Sequence, residues 1–362
     1  MLVLSAACAA GALLLTACGG GGSGESGDGT VTLKLVAADY GDKASNSSTV
    51  YREDVARRFE AADPDIKADV QVVNWNDIDA QVKTMLQSGN VPDVLQTGGY
   101  ADKVADGLLH KAEEVLSPAT RDNLVDTFAE ADEVDGVQYG IPFVSSARAL
   151  FYNKKLFADA DGKYTLDSEA NVETFQWLRA NLVEPGLTYS NPAATDRKTA
   201  FADFAAGKVG MLNGHPSLIQ MSKDGDVDHG VAPVPGKDGA LDSTLGVADW
   251  VMAFKDRGHQ EEIKKFLDFA YSKENTLKFD EMYNLMPVTE DTLREMTSSG
   301  RHKDLEPFFE LLPKASFYPL GDTSWDAVSA EIKKSGGTAV EEDPAEVLGD
   351  LQKKAEQIAA GQ

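Results

Sequence analysis

Cysteine and positive charge are both scarce in this sequence. Cys8 and Cys18 are its two cysteines in 362 residues, so the composition excludes a disulfide scaffold. The 34 Lys and Arg residues stand against 59 Asp and Glu residues, and the formal net charge is −25. Recognition of nucleic acid needs a basic patch, which this composition argues against. The acidic charge also disfavours strongly anionic ligands.

Catalytic and metal-binding motifs are missing as well. The sequence has no GxSxG, HExxH, CxxC or P-loop pattern, and its 5 histidines lack the spacing of metal ligands. Residues 224–228 resemble the start of a calcium loop, but its sixth position is His229 and its twelfth is Pro235. We therefore expect a protein that binds without catalysis and holds no metal or cofactor.

The amino-terminal segment is apolar and ends at a cysteine. Residues 2–17 carry no charge, and Leu15, Thr16 and Ala17 lead into Cys18. This pattern is typical of a lipoprotein signal peptide, which is cleaved before the cysteine that takes the lipid. An uncleaved membrane anchor is the alternative, although about 17 apolar residues is at the short limit for a span. Residues 18–30 then form the lipidated cysteine and a flexible, Gly-rich tether.

Strands and helices alternate from residue 31 onward. Residues 31–36 and 66–72 alternate apolar with polar side chains, as strands do. Between them, apolar residues repeat at helical spacing up to Pro64. A second helix ends near Gly89, and a third strand follows Pro92. This β-α-β-α-β order predicts an α/β fold with helices on both faces of a sheet, and the length favours two domains.

Three local predictions concern the middle of the chain. Asp135 and Gly136 lie between β-formers and predict a hairpin turn. Residues 209–212 predict a short buried strand. Trp177 lies among apolar residues of a predicted helix, which favours a place in the core.

Six segments occur in a distinctive order along the chain. They are residues 81–94, which end in Pro-Asp-Val, residues 107–109 (Gly-Leu-Leu), residues 139–154, residues 201–211, residues 285–288, and Trp325 with residues 343–346. Residues 139–142 read Tyr-Gly-Ile-Pro, and residues 152–154 read Tyr-Asn-Lys. Together these segments resemble family 1 extracellular solute-binding proteins, the sugar-binding subunits of ABC importers.

The resemblance implies a two-lobed, periplasmic-binding-protein-like (type II) α/β fold with discontinuous lobes and a hinge. One lobe would comprise residues 31–141 plus 250–315, and the other residues 142–249 plus 316–362. It further implies a monomeric protein anchored by lipid on the outer face of the cell membrane. Such a protein binds a carbohydrate, most often an oligosaccharide, in the cleft between the lobes and delivers it to permease subunits.

Candidate site residues follow from the chemistry of sugars together with the positions that the family resemblance implies for the site. A sugar presents C–H faces that pack on aromatic rings and hydroxyls that need polar partners. In open α/β sheets such groups gather where loops leave the carboxyl ends of strands. The predicted ligand-binding residues are Asp39, Tyr40, Trp75, Asn76, Gly99, Tyr100, Arg148, His215, Asp249, Trp250, Asp322 and Trp325.

Each of these candidates has a purely structural alternative. Trp325, the favoured stacking residue, could instead pack on its own lobe as a first-turn helix residue. Asn76 could cap a helix, Arg148 could form a structural ion pair, and Asp39 could lie in a solvated loop. For the whole chain, a binding protein for a polyamine, a glycerophosphodiester or a peptide stays open. A surface glycoside hydrolase stays open too, because it needs two carboxylates about 5–10 Å apart and this chain is rich in acidic residues.

The lipid anchor gives the first testable prediction. Replacing Cys18 by serine removes the thiol that takes the lipid, so we expect Cys18→Ser to move the protein from the membrane fraction to the soluble fraction. Cell fractionation followed by immunoblotting measures the distribution. Equal membrane association of the variant and the unmodified chain would contradict the prediction.

Overall fold

The computed structural model describes residues 29–41, 46–129, 133–148, 163–189, 192, 195–232 and 244–361, with residues 147 and 148 in backbone only. In these ranges the strands are β1 (Val31–Ala38), β2 (Ile66–Val73), β3 (Val94–Thr97), β4 (Glu133–Val134), β5 (Val137–Gln138), β6 (Ile141–Arg148), β7 (Thr244–Ala253) and β8 (Ala315–Ser316).

The α-helices of the described residues are α1 (Thr49–Ala62), α2 (Ile78–Gln87), α3 (Ala101–Ala105), α4 (Ala112–Val115), α5 (Pro118–Asp122), α6 (Asp126–Ala129), α7 (Glu169–Leu178), α8 (Arg197–Ala205), α9 (Ser217–Asp224), α10 (Gln260–Ala270), α11 (Lys273–Tyr283), α12 (Glu290–Ser298), α13 (Glu306–Leu311), α14 (Trp325–Ser335) and α15 (Pro344–Ala360). A π-helical turn, Arg179–Val183, extends α7, and 3-10 turns lie at Lys303–Leu305, Leu312–Lys314 and Gly336–Val340.

The central sheet has the strand order β2-β1-β3-β7-β6, and β8 pairs with β7. Strands β2, β1 and β3 are parallel, whereas β7 runs antiparallel to β3 and to β6. The parallel part comes from the β-α-β-α-β order, since α1 and α2 provide the crossovers that parallel strands require. The predicted α/β class is confirmed.

Side chains alternate across this sheet into two cores. On β7, Trp250 and Met252 belong to one apolar cluster, while Val251 and Ala253 belong to a second cluster with Phe59. Successive side chains of a strand point to opposite faces, so both faces of the sheet are covered. The apolar stretch 250–254 is therefore a strand buried on both sides, and it could not face solvent.

The helix ends and the hairpin turn agree with those predicted from the sequence. Helix α1 ends at Ala62, two residues before Pro64. Gly89 has a φ of 70°, the left-handed conformation that follows the end of α2. Asp135 and Gly136 have φ values of 53° and 75°, as a two-residue hairpin turn requires, and they join β4 to β5. The predicted hairpin is confirmed.

Two local predictions are wrong. Residues 209–212 form no strand, and the Met211 side chain is 91% exposed. Trp177 is 57% exposed and lies on the surface of α7. Val172 and Phe175 pack on the core, and a helix turns by about 200° over the two positions from Phe175 to Trp177. Trp177 therefore points away from the packed face.

Strand β7 pairs with different strands at its two ends. Its last residues pair with β3, whereas Thr244 and Leu245 pair with β8. Strand β6 accompanies β7 from Ile141 to Arg148. In a second group of helices, α15 packs against both α7 and α14. Among the described residues, no helix has both the length and the apolar character of a bilayer span.

A buried charge cluster fastens the sheet to α10. Asp93 is fully buried, and its Oδ1 lies 2.9 Å from Nδ1 of His259, the residue that precedes α10. Its Oδ2 accepts a hydrogen bond of 2.7 Å from the Lys34 backbone N–H and lies 3.3 Å from Nε of Arg257. The carboxylate thus joins β1, the start of β3 and the start of α10.

Removing this carboxylate should destabilise the fold. Loss of one partner from a buried charged pair costs about 3–5 kcal/mol, so we expect Asp93→Ala to lower the free energy of unfolding by that amount. The matched control is Asp350→Ala, because Asp350 is 73% exposed and pairs only with the exposed Lys353 among the contacts described. Urea unfolding measures both variants. Equal midpoints for the two would contradict the prediction.

Candidate functional site

The carboxyl ends of β1, β2 and β3 lie at one edge of the sheet because these strands are parallel. Tyr40 follows β1, Trp75 follows β2, and Gly99 follows β3. Strand β7 is antiparallel and brings Asp249 to the same edge. The rings of Tyr40 and Trp75 meet edge to face, with centroids 5.8 Å apart. The structure therefore brings together predicted candidates from distant parts of the chain.

A chain of hydrogen bonds crosses this edge. The Arg52 guanidinium donates to Oε1 of Gln96 at 2.7 Å, and Nε2 of Gln96 donates to the Tyr40 hydroxyl at 2.9 Å. The Tyr40 hydroxyl in turn donates to Oδ2 of Asp249 at 2.6 Å. In all three hydrogen bonds the donor lies on the side of the Arg52 cation and the acceptor on the side of the Asp249 carboxylate. Each bond therefore polarises the next. The chain fixes the orientation of Asp249.

Aromatic rings enclose the middle of this chain. The Tyr40 ring contacts Phe143, Phe279 and Tyr283, with centroids 6.4, 5.0 and 5.8 Å away. The Arg52 guanidinium lies 5.0 Å from the Phe143 ring centroid, a cation–π distance. Burial, followed by the negative charge of Asp249, raises the pKa of Tyr40 well above its usual value. The Tyr40 hydroxyl therefore stays protonated and continues to donate to Asp249.

Asp39 shapes the loop before α1. Its carboxylate accepts hydrogen bonds from the backbone N–H groups of Gly41 and Ser48 at 3.2 and 2.7 Å, and from the hydroxyls of Ser47 and Ser48 at 2.9 and 3.0 Å. Burial alone would raise the pKa of Asp39, but these donors outweigh it and the pKa lies below its usual value. Asp39 thus orders the segment that carries Tyr40.

Tyr100 and Trp250 lie in the core. Trp250 is 0% exposed, and Tyr100 is buried against it with ring centroids 5.9 Å apart. Trp250 is directed inward because it alternates with the neighbouring residues of β7 and faces the cluster that contains Met252. In this conformation neither ring presents surface to a solute, so the structure gives both residues a packing position.

Asp322 and Trp325 approach from the loop before α14. The Asp322 carboxylate accepts hydrogen bonds from the Ser324 N–H at 2.8 Å, the Ser324 hydroxyl at 2.7 Å and the Tyr164 hydroxyl at 3.2 Å. Trp325 begins α14, is 6% exposed, and stacks on Tyr318 with centroids 5.3 Å apart and planes at 27°. This packing corresponds to the structural alternative for Trp325.

Three further candidates remain, and the structure describes only the first of them in full. Asn76 is exposed, and its N–H donates to Oδ1 of Asn74 at 2.9 Å, while Asp77 is the residue that precedes α2. Arg148 pairs with Leu245 through the backbone, and its side chain is outside the described part. Cys18 also lies outside the described residues.

His215 belongs to a separate cavity of about 100 Å³. Its Nδ1 lies 2.9 Å from the Ser217 hydroxyl, and its ring packs on Phe201 at 4.9 Å. The cavity lining includes Leu218, Phe308 and Leu311, so it is mostly apolar. Of the groups formed by described residues, none brings three or more His, Cys, Asp or Glu side chains into a metal-binding arrangement.

The sequence prediction missed Arg52, Gln96 and Phe143. Gln96 offered a usable signal, since a polar side chain in a short strand that is otherwise buried needs an internal partner. Arg52 and Phe143 offered none, because each lies in a segment that reads as an ordinary helix or strand. Only the tertiary fold places them beside Tyr40.

Three comparisons bear on this geometry. Residues 42–277 match the family model of bacterial extracellular solute-binding proteins. A putative binding protein of Brucella abortus is 25% identical, over 90% of this chain and 93% of that protein. The maltotriose-binding protein of Pyrococcus abyssi is 25% identical, over 51% of this chain and 50% of that protein.

Among solved structures, the GacH receptor of Streptomyces glaucescens, described unliganded and with acarbose, aligns with a TM-score of 0.75. It is 18% identical, and the alignment covers 91% of this chain and 99% of that chain. At this identity the likeness establishes the fold alone. The predicted two-lobed α/β architecture is confirmed, whereas the boundaries given above for the two lobes stay a prediction.

The burial of Trp325 leads to a paired test. Loss of a buried Trp costs about 3–5 kcal/mol, so we expect Trp325→Ala to lower the melting temperature clearly. The control is Trp177→Ala, the same substitution at a ring that is 57% exposed, and it should change the melting temperature little. Calorimetric scans of the unliganded variants measure both. An unchanged melting temperature for Trp325→Ala would instead support the ligand-stacking role predicted from the sequence.

Proposed function

The chain belongs to the family of bacterial extracellular solute-binding proteins, and from this premise we propose that it captures a carbohydrate for an ABC importer. We propose an oligosaccharide as the solute. It binds between the lobes and passes to the permease subunits. The protein works as a monomer on the outer face of the membrane and is held there by lipid on Cys18. It binds and releases the solute without covalent chemistry.

The observation that carries this proposal is the pairing of aromatic rings with a fixed carboxylate at one sheet edge. Trp75 is half-buried, and its ring meets that of Tyr40 edge to face. The Tyr40 hydroxyl in turn holds Asp249 at 2.6 Å. A sugar ring needs this combination, because its C–H face packs on a ring while its hydroxyls donate to a carboxylate. The edge is also where ligands of open α/β sheets bind.

The crossing strands suggest how the cleft closes. Strands β6 and β7 pair with each other, and both cross the lobe boundaries that we propose. We place one lobe at residues 31–141 plus 250–315 and the other at residues 142–249 plus 316–362. Rotation about the crossing then lets a solute bind one lobe first and gain contacts from the second on closing.

The solutes named with the relatives indicate which sugars to test at this site. The Pyrococcus abyssi relative is named for maltotriose, and the GacH receptor is described with acarbose. Net charge disfavours phosphate-bearing solutes, and the nearby Arg52 guanidinium is already committed to Gln96 at 2.7 Å. We therefore propose a neutral or weakly basic oligosaccharide. Polyamine, glycerophosphodiester and peptide binding are the outcomes that would replace it.

Titration calorimetry tests binding without turnover. We expect maltotriose or acarbose to bind at one site with micromolar affinity, which corresponds to about −8 kcal/mol. Spermidine, glycerophosphocholine and a tripeptide are the comparison solutes. Mass spectrometry of the recovered sugar should show it unchanged. Exclusive binding of a comparison solute, or recovery of a cleaved sugar, would overturn the proposal.

The role of the Trp75 ring in sugar binding can be tested by substitution. Truncation of an aromatic anchor commonly costs about 2 kcal/mol or more of binding, so Trp75→Ala should weaken sugar affinity at least about thirtyfold. Trp177→Ala is again the matched control, and it should leave the affinity unchanged. Equal affinities for the two variants would show that the Trp75 ring does not contact the sugar.

A further inference from the structure

Gly99 and Asp326 are in close contact. A Cβ atom built on Gly99 would lie 2.5 and 2.6 Å from the two carboxylate oxygens of Asp326. No real Cβ is tolerated at that distance, so the side chain of Asp326 lies directly against the backbone of Gly99. Glycine is therefore needed here to let the carboxylate approach, although its backbone conformation is ordinary.

This contact joins two different parts of the fold. Gly99 lies two residues after the end of β3 of the central sheet. Asp326 is the second residue of α14, which packs on α15 and the 3-10 turn at Gly336–Val340. With the lobe boundaries proposed above, Gly99 belongs to the first lobe and Asp326 to the second. The pair therefore bridges the two lobes.

The contact carries unbalanced negative charge. Asp102 of α3 and Asp79 of α2 act on Asp326 as like charges, while Lys103 and Lys333 act as opposite charges. Lys103 is shared, because its Nζ lies 2.8 Å from Oδ1 of Asp102 and 3.4 Å from the carbonyl oxygen of Gly99. Closing this junction therefore brings three carboxylates toward two ammonium groups.

The protonation of Asp326 responds to this environment. Burial raises the pKa of Asp326, and the charge of Asp102 and then of Asp79 raises it further against the effect of Lys103 and Lys333. Asp326 in turn contributes to the pKa of the neighbouring Tyr164, which burial raises to about 12, so that phenol stays neutral.

We propose that Asp326 controls the closing of the cleft: its carboxyl seals the two lobes against Gly99, and its negative charge opposes their closing. The inference rests on the proposed function, since it needs lobes that close over a solute.

The sign of the pH dependence follows from the two states. Burial raises the pKa of Asp326 in the described conformation, and the charges of Asp102 and Asp79 raise it further across the proposed lobe junction. Separating the lobes would remove that effect and lower the pKa, so closing takes up protons. Closing therefore becomes more favourable as the pH falls from neutral through the raised pKa. The gain is complete once the pH lies below the ordinary carboxyl value of about 3.9.

Crosslinking tests the contact itself. In a chain that carries Cys8→Ser and Cys18→Ser, the pair Gly99→Cys and Asp326→Cys provides the sole thiols. The Gly99 Cβ position lies 2.8 Å from the carboxyl carbon of Asp326. The two Cβ atoms therefore lie within about 4.3 Å, inside the disulfide range. Mild oxidation should give an intramolecular disulfide, and each single cysteine variant is the control. Absence of that disulfide in a folded double variant overturns the contact.

Small-angle X-ray scattering tests the charge. We expect the unliganded chain to become more compact between pH 7 and about pH 4. Asp326→Asn should be as compact at pH 7 as the unmodified chain is at the lower pH. Asp350→Asn, which removes an exposed carboxylate from α15, should behave like the unmodified chain. A pH response that survives in Asp326→Asn, or one that is absent from the unmodified chain, overturns the inference.

These measurements need no sugar, so they separate this inference from the proposed function. If the unmodified chain binds maltotriose but the crosslink and the pH response both fail, Asp326 has no role in closing and the carbohydrate proposal stands. If both succeed while every sugar fails to bind, the closing contact stands and the solute class is wrong.

Discussion

Strand β7 holds the molecule together because it pairs with different partners along its length. Its last residues pair with β3 in the central sheet, Leu245–Val251 pair with β6, and its first residues pair with β8. A shift of one residue would turn Trp250 and Met252 out of their core and bring Asp249 into it. The register of this strand therefore decides both the packing of the sheet and the position of the candidate site.

The site depends on a second constraint, the need to satisfy polar groups in an apolar setting. Gln96 lies in a buried strand and the Arg52 guanidinium lies on aromatic rings, so each needs an internal partner. The chain through the Tyr40 hydroxyl meets that need and ends on Asp249. An arrangement that keeps the interior satisfied thus also holds a carboxylate ready at the edge of the sheet. Preorganisation of this kind lowers the entropic cost of binding a solute.

Negative charge has different effects in different places. Asp93 is compensated by His259 and Arg257 and fastens the sheet to a helix. Asp39 and Asp322 are each compensated by hydroxyl and N–H donors and order their loops. Asp326 lies against Gly99 with other carboxylates nearby, so its burial is poorly compensated. At the lobe junction that we propose, such a charge would suit a protein that must open again after closing.

The sequence by itself determined the α/β class, the order of the first strands and helices along the chain, and the local turns. Those features depend on short-range periodicity and on the backbone preferences of residues such as Pro64, Gly89 and the pair Asp135 and Gly136. It also identified Tyr40 and Trp75 as candidates, since polar and aromatic residues after buried strands stand out in a sequence. Asp249 became a candidate through the family resemblance.

Only the tertiary structure decided which aromatic rings pack inward and which polar groups meet. Trp250 and Trp325 have the residue type of a sugar-stacking ring, but both are buried, whereas Trp177 was expected in the core and is exposed. Residue type cannot separate these cases, because a ring faces the core or the solvent according to strand register and helix rotation. Likewise, the partners of Tyr40 and Gly99 lie more than 200 residues away in Asp249 and Asp326. Contacts at such separation depend on the packing of distant elements, which local sequence patterns do not encode.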